Sequence, residues 1–304
     1  MIDSMPKDNA LVVLNYNDSK RTLAVCQMAY QTGLFSSIVV VNNKGADDEL
    51  AILRRFKEEN QIPCFFLIES VNKGYCDGCN QGLDYVLKRL NNPVIFLLNS
   101  DVSCSSDCFV QCRRVIDENP RIGAVSPLMK LPDRSNDHNW GIFPTYRDGL
   151  NSIFFFGERR LAKKQFANEK SVFSNPMTSV DWIRSSFLAL RASAFKNSPL
   201  FDSRFFLYCG EYSLFTPFHK RGFDAVILSS CAYLHNHLGT SNWKRLRKVK
   251  IDSIRSMYDY LVFYRHINWF QRFWFLLVSP LATLEYDLLY WRIDYKQKKK
   301  SKSS

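Results

Sequence analysis

In this chain of 304 residues, Asp101 lies at a position where a carboxylate can bind a metal ion. It ends the polar cluster 99–101, which directly follows the apolar run 94–98. A carboxylate at the end of a strand can bind a divalent cation, and Mg²⁺ and Mn²⁺ prefer such oxygen ligands. One carboxylate binds these ions weakly, so the phosphates of a substrate would have to supply further ligands. The alternative is that Asp101 caps the helix that follows it.

Three further side chains are candidates for catalysis, each with a structural alternative. Glu211 follows the aromatic segment 205–208 and is a candidate general base, although an acidic residue can also begin a helix. His235 and His237 end a strand-like run, and residues two apart on a strand point the same way, so both can face a metal. Ordinary surface or core histidines are the alternative for this pair.

The segment 72–82 contains three glycines and two asparagines between a predicted strand and a predicted helix. Glycines allow close approach of the backbone to a ligand, and the N–H groups at a helix N-terminus favour a phosphate. The segment matches neither the G-x-G-x-x-G dinucleotide pattern nor the phosphate-binding G-x-x-x-x-G-K-[ST] loop. A plain tight turn is the alternative.

Apolar runs typical of buried strands alternate with helix-like stretches from residue 10 onward. Strands are predicted at 10–14, 37–41, 64–68 and 94–98, and helices at 19–33, 47–59, 77–90 and 107–118. This alternation predicts an α/β fold with a mostly parallel central sheet flanked by helices. Ligands bind beyond the carboxyl ends of such strands. The polar residues that follow the predicted strands are Asn15, Tyr16, Asn17, Asn42, Asn43, Glu69, Ser70, Asn99, Ser100 and Asp101.

Beyond Asp101 the pattern is weaker. Residues 122–125 and 225–229 favour strands, and 213–221 favours a helix that Gly222 ends. Residues 130–178 are rich in Pro, Gly, Asn and Asp, which is typical of loops.

In combination, these motifs resemble the family 2 glycosyltransferases with the GT-A fold, closest to the rhamnosyltransferase-like branch of bacterial surface-polysaccharide enzymes. The resemblance covers residues 10–241. It implies that Asn15, Tyr16 and Asn17 help to hold a nucleotide. Asn42 and Asn43 stand where the family has Asp-Asn, and the amide oxygen of Asn42 can accept a hydrogen bond from the base.

The same resemblance assigns further positions around the donor. The pattern Asn-x-Gly-x-x-x-Gly-x-Asn-x-Gly, which lines the family's nucleotide site, falls on Asn72, Gly74, Gly78, Asn80 and Gly82. Asn99-Ser100-Asp101 replaces the family's Asn-Pro-Asp and keeps the aspartate that touches the metal. His237 falls on the histidine of the family's His-x-Gly-x-Ser, which makes it a better metal or diphosphate ligand than His235.

On the acceptor side, residues 180–191 resemble the family's Val-Asp-Trp strand and the loop after it, with Ser185 where the family has Gly. Glu211 falls on the position of the catalytic Asp, so the resemblance implies that it is the base. Gly210 and Ser213 stand where acidic residues are usual.

The function that the resemblance implies is inverting transfer of a sugar from a nucleoside-diphosphate sugar, with Mg²⁺ or Mn²⁺ as cofactor. The donor is expected to be dTDP-rhamnose, and the acceptor a hydroxyl of a lipid-linked oligosaccharide in O-antigen or capsule synthesis. UDP-galactose, UDP-glucose or UDP-N-acetylglucosamine is the alternative donor. A non-catalytic descendant of the fold is a further alternative, supported by Gly210 and Ser213.

Positive charge is concentrated at the C-terminus. The chain has a net charge of +12, and residues 244–304 hold 14 Lys and Arg against 5 Asp and Glu, together with 13 aromatic residues. We expect a glycosyltransferase domain at 1–243 and a basic, aromatic helical extension at 244–304. The extension is predicted to bind an anionic membrane surface rather than nucleic acid, because no nucleic-acid-binding module is present. A helical pair packed on the catalytic domain is the alternative.

The longest uncharged stretch of this extension, 273–284, is too short to span a bilayer and contains Pro280. Residues 1–9 include three charged side chains, which is unlike a signal peptide. The predicted location is therefore cytoplasmic, peripheral on the inner face of the cytoplasmic membrane. The nine cysteines lack the spacing of a disulfide framework and are predicted to be reduced.

Overall fold

A computed structural model of the chain describes residues 6–60, 64–165, 169–196, 200–236 and 243–301. The described residues of 1–142 and 168–237 form one compact unit, and those of 143–167 and 238–304 form a second. A domain boundary was expected after residue 243, whereas the second unit also includes the segment 143–167.

Strands and helices alternate in the first half of the chain, and helices dominate its end. The strands within the described residues are β1 (Asn9–Asn15), β2 (Phe35–Asn43), β3 (Phe65–Ser70), β4 (Val94–Asn99), β5 (Val102–Ser103), β6 (Ile122–Lys130), β7 (Asn136–Asp137), β8 (Trp140–Gly141), β9 (Met177–Val180), β10 (Trp182–Ile183), β11 (Phe187–Arg191) and β12 (Asp224–His235). The α-helices are α1 (Ser19–Gln31), α2 (Asp47–Asn60), α3 (Tyr75–Arg89), α4 (Ser106–Glu118), α5 (Tyr146–Ser152), α6 (Phe155–Gln165), α7 (Glu169–Ser174), α8 (Gly210–Lys220), α9 (Trp243–Phe263) and α10 (Trp269–Ser301).

A ten-stranded sheet runs through the described part of the first unit. Its main path has the order β3-β2-β1-β4-β11-β6-β12-β5. Outside this path, β7 pairs with β6, and β9 pairs with β12. The pairs β1–β2, β1–β4, β2–β3 and β6–β12 are parallel, whereas β11 is antiparallel to both β4 and β6. The α/β architecture predicted from the alternation is therefore confirmed.

The central strands are apolar along their length because both of their faces are covered. Every residue from Ala10 to Val13 is completely buried. Four phenylalanines pack edge to face or stacked beside these strands, and the ring centroids of Phe35 and Phe96 lie 5.0 and 5.2 Å from that of Phe109. Phe187 stacks on Phe109 at 5.7 Å. Since Phe109 belongs to α4, this cluster joins the helix to the parallel and antiparallel parts of the sheet.

Two glycines allow α3 to lie directly on the parallel strands. A Cβ atom at Gly82 would lie 2.4 Å from Cγ1 of Val12, and one at Gly78 would lie 2.6 Å from Cδ1 of Leu14. Carbon atoms in contact are normally separated by about 3.5–4.0 Å, so neither position has room for a side chain. Gly78 and Gly82 therefore serve helix–sheet packing.

The segment 130–178 contains more regular structure than its loop-like composition predicted. It holds the strands β7 and β8 and the helices α5, α6 and α7. A capping box begins α5, in which the Thr145 side chain accepts from the Asp148 N–H and the Asp148 carboxylate accepts from the Thr145 N–H. This capping signal involves only Thr145 and Asp148, and the residues around it are typical of turns. The composition of the segment therefore did not predict the helix.

The second unit is helical and is held together by a buried charged group. The Lys250 ammonium lies 3.1 Å from the Glu158 carboxylate and 4.1 Å from the ring centre of Tyr286. The Tyr286 hydroxyl also bonds to Glu158. Burial lowers the pKa of Lys250, and the negative charge of Glu158 opposes that shift. These contacts join α9, α6 and α10.

The long helix α10 is apolar on more than one side. Its inward-facing side buries Phe275, Ala282 and Tyr286. A second row of large apolar side chains is about half exposed or more and recurs at alternating intervals of four and three residues: Phe270, Trp274, Leu277, Leu281, Leu284, Leu288 and Trp291. Within the described residues, no helix has the length and apolar character needed to cross a membrane.

We predict that Gly82→Ala lowers the free energy of unfolding, because the new methyl group would overlap Val12 in the core. Overpacking costs about 1–3 kcal/mol, which exceeds the roughly 1 kcal/mol that alanine gains over glycine in a helix. The measurement is urea unfolding of both proteins. Lys88→Ala, on the exposed side of the same helix, serves as control and should change stability by less than about 1 kcal/mol. Equal stability of Gly82→Ala and the wild type would contradict the packing role.

Candidate active site

The carboxyl ends of β1, β2 and β4 lie side by side, as the parallel arrangement predicted. In the strand register, Asn15 is opposite Asn42, and Leu14 is opposite Asn99. Asn42 is in turn opposite Glu69 at the end of β3. The polar residues that the sequence analysis selected at these strand ends therefore share one edge of the sheet.

Asn15 and Asn42 form a buried pair at this edge. The Nδ2 group of Asn15 donates to Oδ1 of Asn42 at 2.9 Å, and Oδ1 of Asn15 accepts from the Thr22 hydroxyl at 2.8 Å. All three residues are buried. The Asn42 oxygen, which was expected to accept from a nucleotide base, thus already has one donor, and its orientation is set by Asn15. A carbonyl oxygen has a second lone pair for a further donor.

Tyr16 and Asn17 have different surroundings. The Tyr16 side chain is 55% exposed at the end of β1. Asn17 adopts a left-handed backbone conformation, and its Oδ1 accepts from the Ala46 N–H at 2.8 Å. Asn17 therefore holds the loop after β2, and Tyr16 is the side chain of the two that is open to a ligand.

The turn before α3 joins Asn43 to Asn72 and Gly74. The Asn72 Oδ1 accepts from the Gly74 N–H at 3.0 Å, and the Asn43 Nδ2 donates to the Gly74 carbonyl at 3.1 Å. Gly74 has a φ of 112°, and a Cβ there would lie 2.6 Å from the Phe206 carbonyl oxygen. Glycine is required at this position by both its conformation and its contact. The turn is thereby packed against the segment that precedes α8.

Asn80 also contacts that segment. Its Nδ2 donates to the Phe201 carbonyl at 2.7 Å, and its Oδ1 accepts from the Phe201 N–H at 3.0 Å. Both ends of the Asn80 amide are used in this way, so Asn80 holds the chain before α8 against α3.

Asp101 lies between β4 and β5, and its partner is a histidine. The Oδ1 of Asp101 is 3.1 Å from Nε2 of His235 at the end of β12, and both side chains are mostly buried. The pairing of β5 with β12, which places His235 opposite Val102, brings the two together. His237, which the resemblance favoured over His235, lies outside the described residues.

The donor set at this position fits a hard divalent cation. A carboxylate oxygen and an imidazole nitrogen are both ligands that Mn²⁺ accepts. Within the described residues, no group of three or more His, Cys, Asp or Glu side chains is arranged to hold a metal ion. Asp101 and His235 would supply two ligands to such an ion.

Glu211 lies in the first turn of α8 and is tied to Ser185. Its Oε1 accepts from the Ser185 hydroxyl at 2.8 Å and from the Ser185 N–H at 3.2 Å. The Tyr75 hydroxyl lies 2.8 Å from Oδ1 of Asn99 and 3.1 Å from the Ser185 carbonyl oxygen. One hydrogen-bonded group thus joins Asn99, at the strand edge, to Glu211.

The two residues that make this connection were not selected from the sequence as site residues. Tyr75 directly follows Gly74 in the glycine-rich turn, and Ser185 was noted only as a departure from the family pattern. Burial raises the pKa of the Tyr75 hydroxyl well above its ordinary value, so it stays protonated and able to donate. A buried tyrosine hydroxyl needs a partner, but the sequence does not show which residues fold against it.

The surroundings of Gly210 and Ser213 explain why these positions, which are acidic in the family motif, hold small residues here. A Cβ atom at Gly210 would lie 2.5 Å from the Cys76 sulfur, so no larger residue fits there. Ser213 is completely buried, and its hydroxyl accepts from the Asp202 N–H at 3.0 Å and donates to the Gly210 carbonyl. Packing and local hydrogen bonds therefore determine these two positions.

Comparison with solved structures identifies the fold. A mannosyltransferase from Pyrobaculum calidifontis, solved with GDP-Man and Mn²⁺, superposes with a TM-score of 0.55 at 13% identity and covers 94% of this chain and 74% of its own. GalNAc-T7, solved with UDP, GalNAc and Mn²⁺, has a TM-score of 0.55 at 12% identity, covering 82% and 47% of the two chains. These likenesses confirm the predicted GT-A fold.

Comparison of sequences identifies the family. The N-acetylglucosaminyl-diphospho-decaprenol L-rhamnosyltransferase of Mycobacterium tuberculosis is 30% identical over 119 residues, which are 38% of this chain and 38% of that protein. The chain thus matches well under half of the length of this relative. The family model described as Glycosyl transferase family 2 matches residues 11–179, more than half of the chain. The chain belongs to glycosyl transferase family 2.

Proposed function

We propose that the protein is an inverting glycosyltransferase that moves a sugar from a nucleoside-diphosphate sugar to an acceptor hydroxyl. The observation that carries this proposal is the hydrogen-bonded group in which Tyr75 and Ser185 connect Asn99 to Glu211. These hydrogen bonds fix the position of a base carboxylate relative to the strand edge where family members bind their donor. Family membership supports the reaction class.

Glu211 is the proposed general base. Oε1 is held by two donors from Ser185, and Oε2 is available to take the proton of the acceptor hydroxyl. Removing that proton as the hydroxyl oxygen attacks the anomeric carbon from the side opposite the diphosphate inverts the configuration. Close packing at Gly210 and local hydrogen bonds at Ser213 account for these two residues, so the missing acids do not by themselves favour a non-catalytic descendant.

Asp101 and His235 are the residues that we propose to hold Mg²⁺ or Mn²⁺ together with the donor diphosphate. Such an ion supplies positive charge that stabilises the departing diphosphate. The backbone of Asp101 is fixed by its carbonyl, which accepts from the Asn236 N–H at 2.8 Å, and its Oδ1 lies 3.1 Å from His235 Nε2, so the two side chains can reach one ion. His237 remains a predicted ligand from the family pattern.

The donor proposed first is dTDP-rhamnose, and the acceptor a lipid-linked oligosaccharide of a bacterial surface polysaccharide such as O-antigen or capsule. The support is the mycobacterial relative, whose name specifies an L-rhamnosyltransferase that acts on a diphospho-decaprenol substrate. A UDP-hexose is the competing donor. The buried Asn15–Asn42 pair offers an amide rather than a charged group toward the base, and this is compatible with thymine and uracil alike.

The second unit is proposed to bind the anionic inner face of the cytoplasmic membrane. Its helix α10 exposes the apolar row from Phe270 to Trp291, and residues 244–304 carry a net charge of +9. Positive charge beside exposed aromatic and leucine side chains complements a surface of anionic lipids. Helix α6 of the same unit adds further basic residues, Arg159, Arg160, Lys163 and Lys164. A peripheral enzyme in this position would meet a lipid-linked acceptor.

We expect Glu211→Gln to abolish sugar transfer while the protein stays folded, because the amide cannot accept the acceptor proton. General-base catalysis contributes about 10²–10⁴-fold, so the loss in kcat should be of that order. The assay is release of the nucleoside diphosphate and formation of glycosylated acceptor with a panel of dTDP-rhamnose and UDP-hexoses. Glu58→Gln, on the exposed part of α2, is the matched control and should keep wild-type turnover. Substantial turnover by Glu211→Gln would remove Glu211 from the base role.

Asp101→Asn should weaken Mn²⁺-dependent binding of the nucleotide donor, since the amide lacks the negative charge that holds the cation. The measurement is calorimetric titration of the nucleoside diphosphate with Mn²⁺ and again with chelator, which requires no turnover. We expect about a tenfold or greater loss of affinity with Mn²⁺ and little change with chelator. Asp84→Asn, exposed on α3, controls for a general change of charge. Unchanged Mn²⁺-dependent affinity would refute the assignment of Asp101.

The double variant Leu277→Glu/Leu284→Glu should reduce sedimentation with vesicles of phosphatidylcholine containing phosphatidylserine. Each substitution replaces an exposed apolar side chain by a charge of the same sign as the lipids, and we expect roughly a tenfold loss of partitioning. High salt should weaken wild-type binding as well. Val71→Glu, at an exposed apolar position of the first unit, is the control. If the double variant sediments like the wild type, α10 is not the lipid-binding element.

A further inference from the structure

Ser185 makes two hydrogen bonds to the same atom of Glu211. Its N–H and its hydroxyl both donate to Oε1, at 3.2 and 2.8 Å, and the residue itself is only 4% exposed. Within the described residues, Oε2 of Glu211 makes no hydrogen bond. The carboxylate therefore cannot rotate without losing both donors, and one oxygen is left facing away from Ser185.

The backbone of Ser185 is itself held from the other side. The single O–H donor of Tyr75 lies between two acceptors, the Ser185 carbonyl oxygen at 3.1 Å and Oδ1 of Asn99 at 2.8 Å. The neighbouring Ser186 carbonyl accepts from the Asn99 N–H at 3.0 Å. Ser185 is thus connected by two independent routes to the end of β4, two residues before Asp101.

We propose that Ser185 is a positioning residue for the base, which orients Glu211 so that Oε2 alone meets the acceptor hydroxyl. Tyr75 extends this role by fixing Ser185 relative to Asn99. The position of the base is in this way set by the same strand end that carries Asp101. This inference rests on the proposed role of Glu211 and adds the residues that orient its carboxylate for proton transfer.

A misplaced catalytic group lowers kcat more than substrate affinity, because the substrate still binds while the reacting atoms are badly aligned. Loss of the Ser185 hydroxyl would remove one of the two donors that hold Oε1, so the carboxylate would be held less firmly while the donor substrate still binds. A fall in kcat with an unchanged KM is an effect that a general loss of stability does not produce.

The test compares Ser185→Ala and Tyr75→Phe with the wild type. We expect Ser185→Ala to lower kcat by about 10- to 100-fold, with the KM of the donor changed by less than about threefold. Tyr75→Phe, which keeps the ring and removes the hydroxyl, should lower kcat by a smaller factor, because both Ser185 donors remain.

Ser186→Ala is the matched control, since it removes a buried hydroxyl from the adjacent residue whose partner is Tyr233 at 2.7 Å rather than Glu211. It should lower thermal stability with a much smaller loss of kcat than Ser185→Ala. If Ser185→Ala keeps the wild-type kcat while Glu211→Gln is inactive, the positioning role is wrong and the proposed base stands. An equal loss of kcat in Ser186→Ala would also overturn it. If Glu211→Gln itself remains active, the proposed function fails independently of Ser185.

Discussion

Parallel pairing of β1 with β2 and β4 is the constraint on which the site depends. It brings Asn15, Asn42 and Asn99 to one edge of the sheet, and close packing of α3 through Gly78 and Gly82 holds the glycine-rich turn over that edge. A parallel sheet buried on both faces leaves only its strand ends open to ligands. Backbone geometry alone therefore brings the polar residues at these strand ends together.

The second half of the first unit is joined to this edge in two ways, by the pairing of β11 with β4 and by contacts from the glycine-rich turn. Asn80 holds Phe201, Gly74 packs against Phe206, and Tyr75 reaches both Asn99 and Ser185. All three contacts come from the segment 72–82. A single turn thus aligns helix α8, which carries Glu211, with the strand edge, and this explains why so many small and amide residues are concentrated in it.

Much of the fold could be predicted from local patterns. The strands β1–β4 and the helices α1–α4 have apolar runs, spacings and turn residues that agree with one another, and the predicted sheet follows from their alternation. The segment 130–178 could not be predicted in the same way. Its helices α5, α6 and α7 are short. A capping box stabilises α5, and the contact of Glu158 with the distant Lys250 stabilises α6.

The sequence alone determined the family resemblance, the strand-end residues and the two carboxylates, because each depends on residue type at short spacing. Only the tertiary structure decided which of these groups meet. It paired Asp101 with His235, turned Asn80 toward Phe201, and placed Ser185 and Tyr75 between Asn99 and Glu211. Tyr75 and Ser185 are 110 residues apart, so their contact depends on how β11 inserts beside β4. A local sequence pattern cannot predict a contact between residues that are so far apart in the chain.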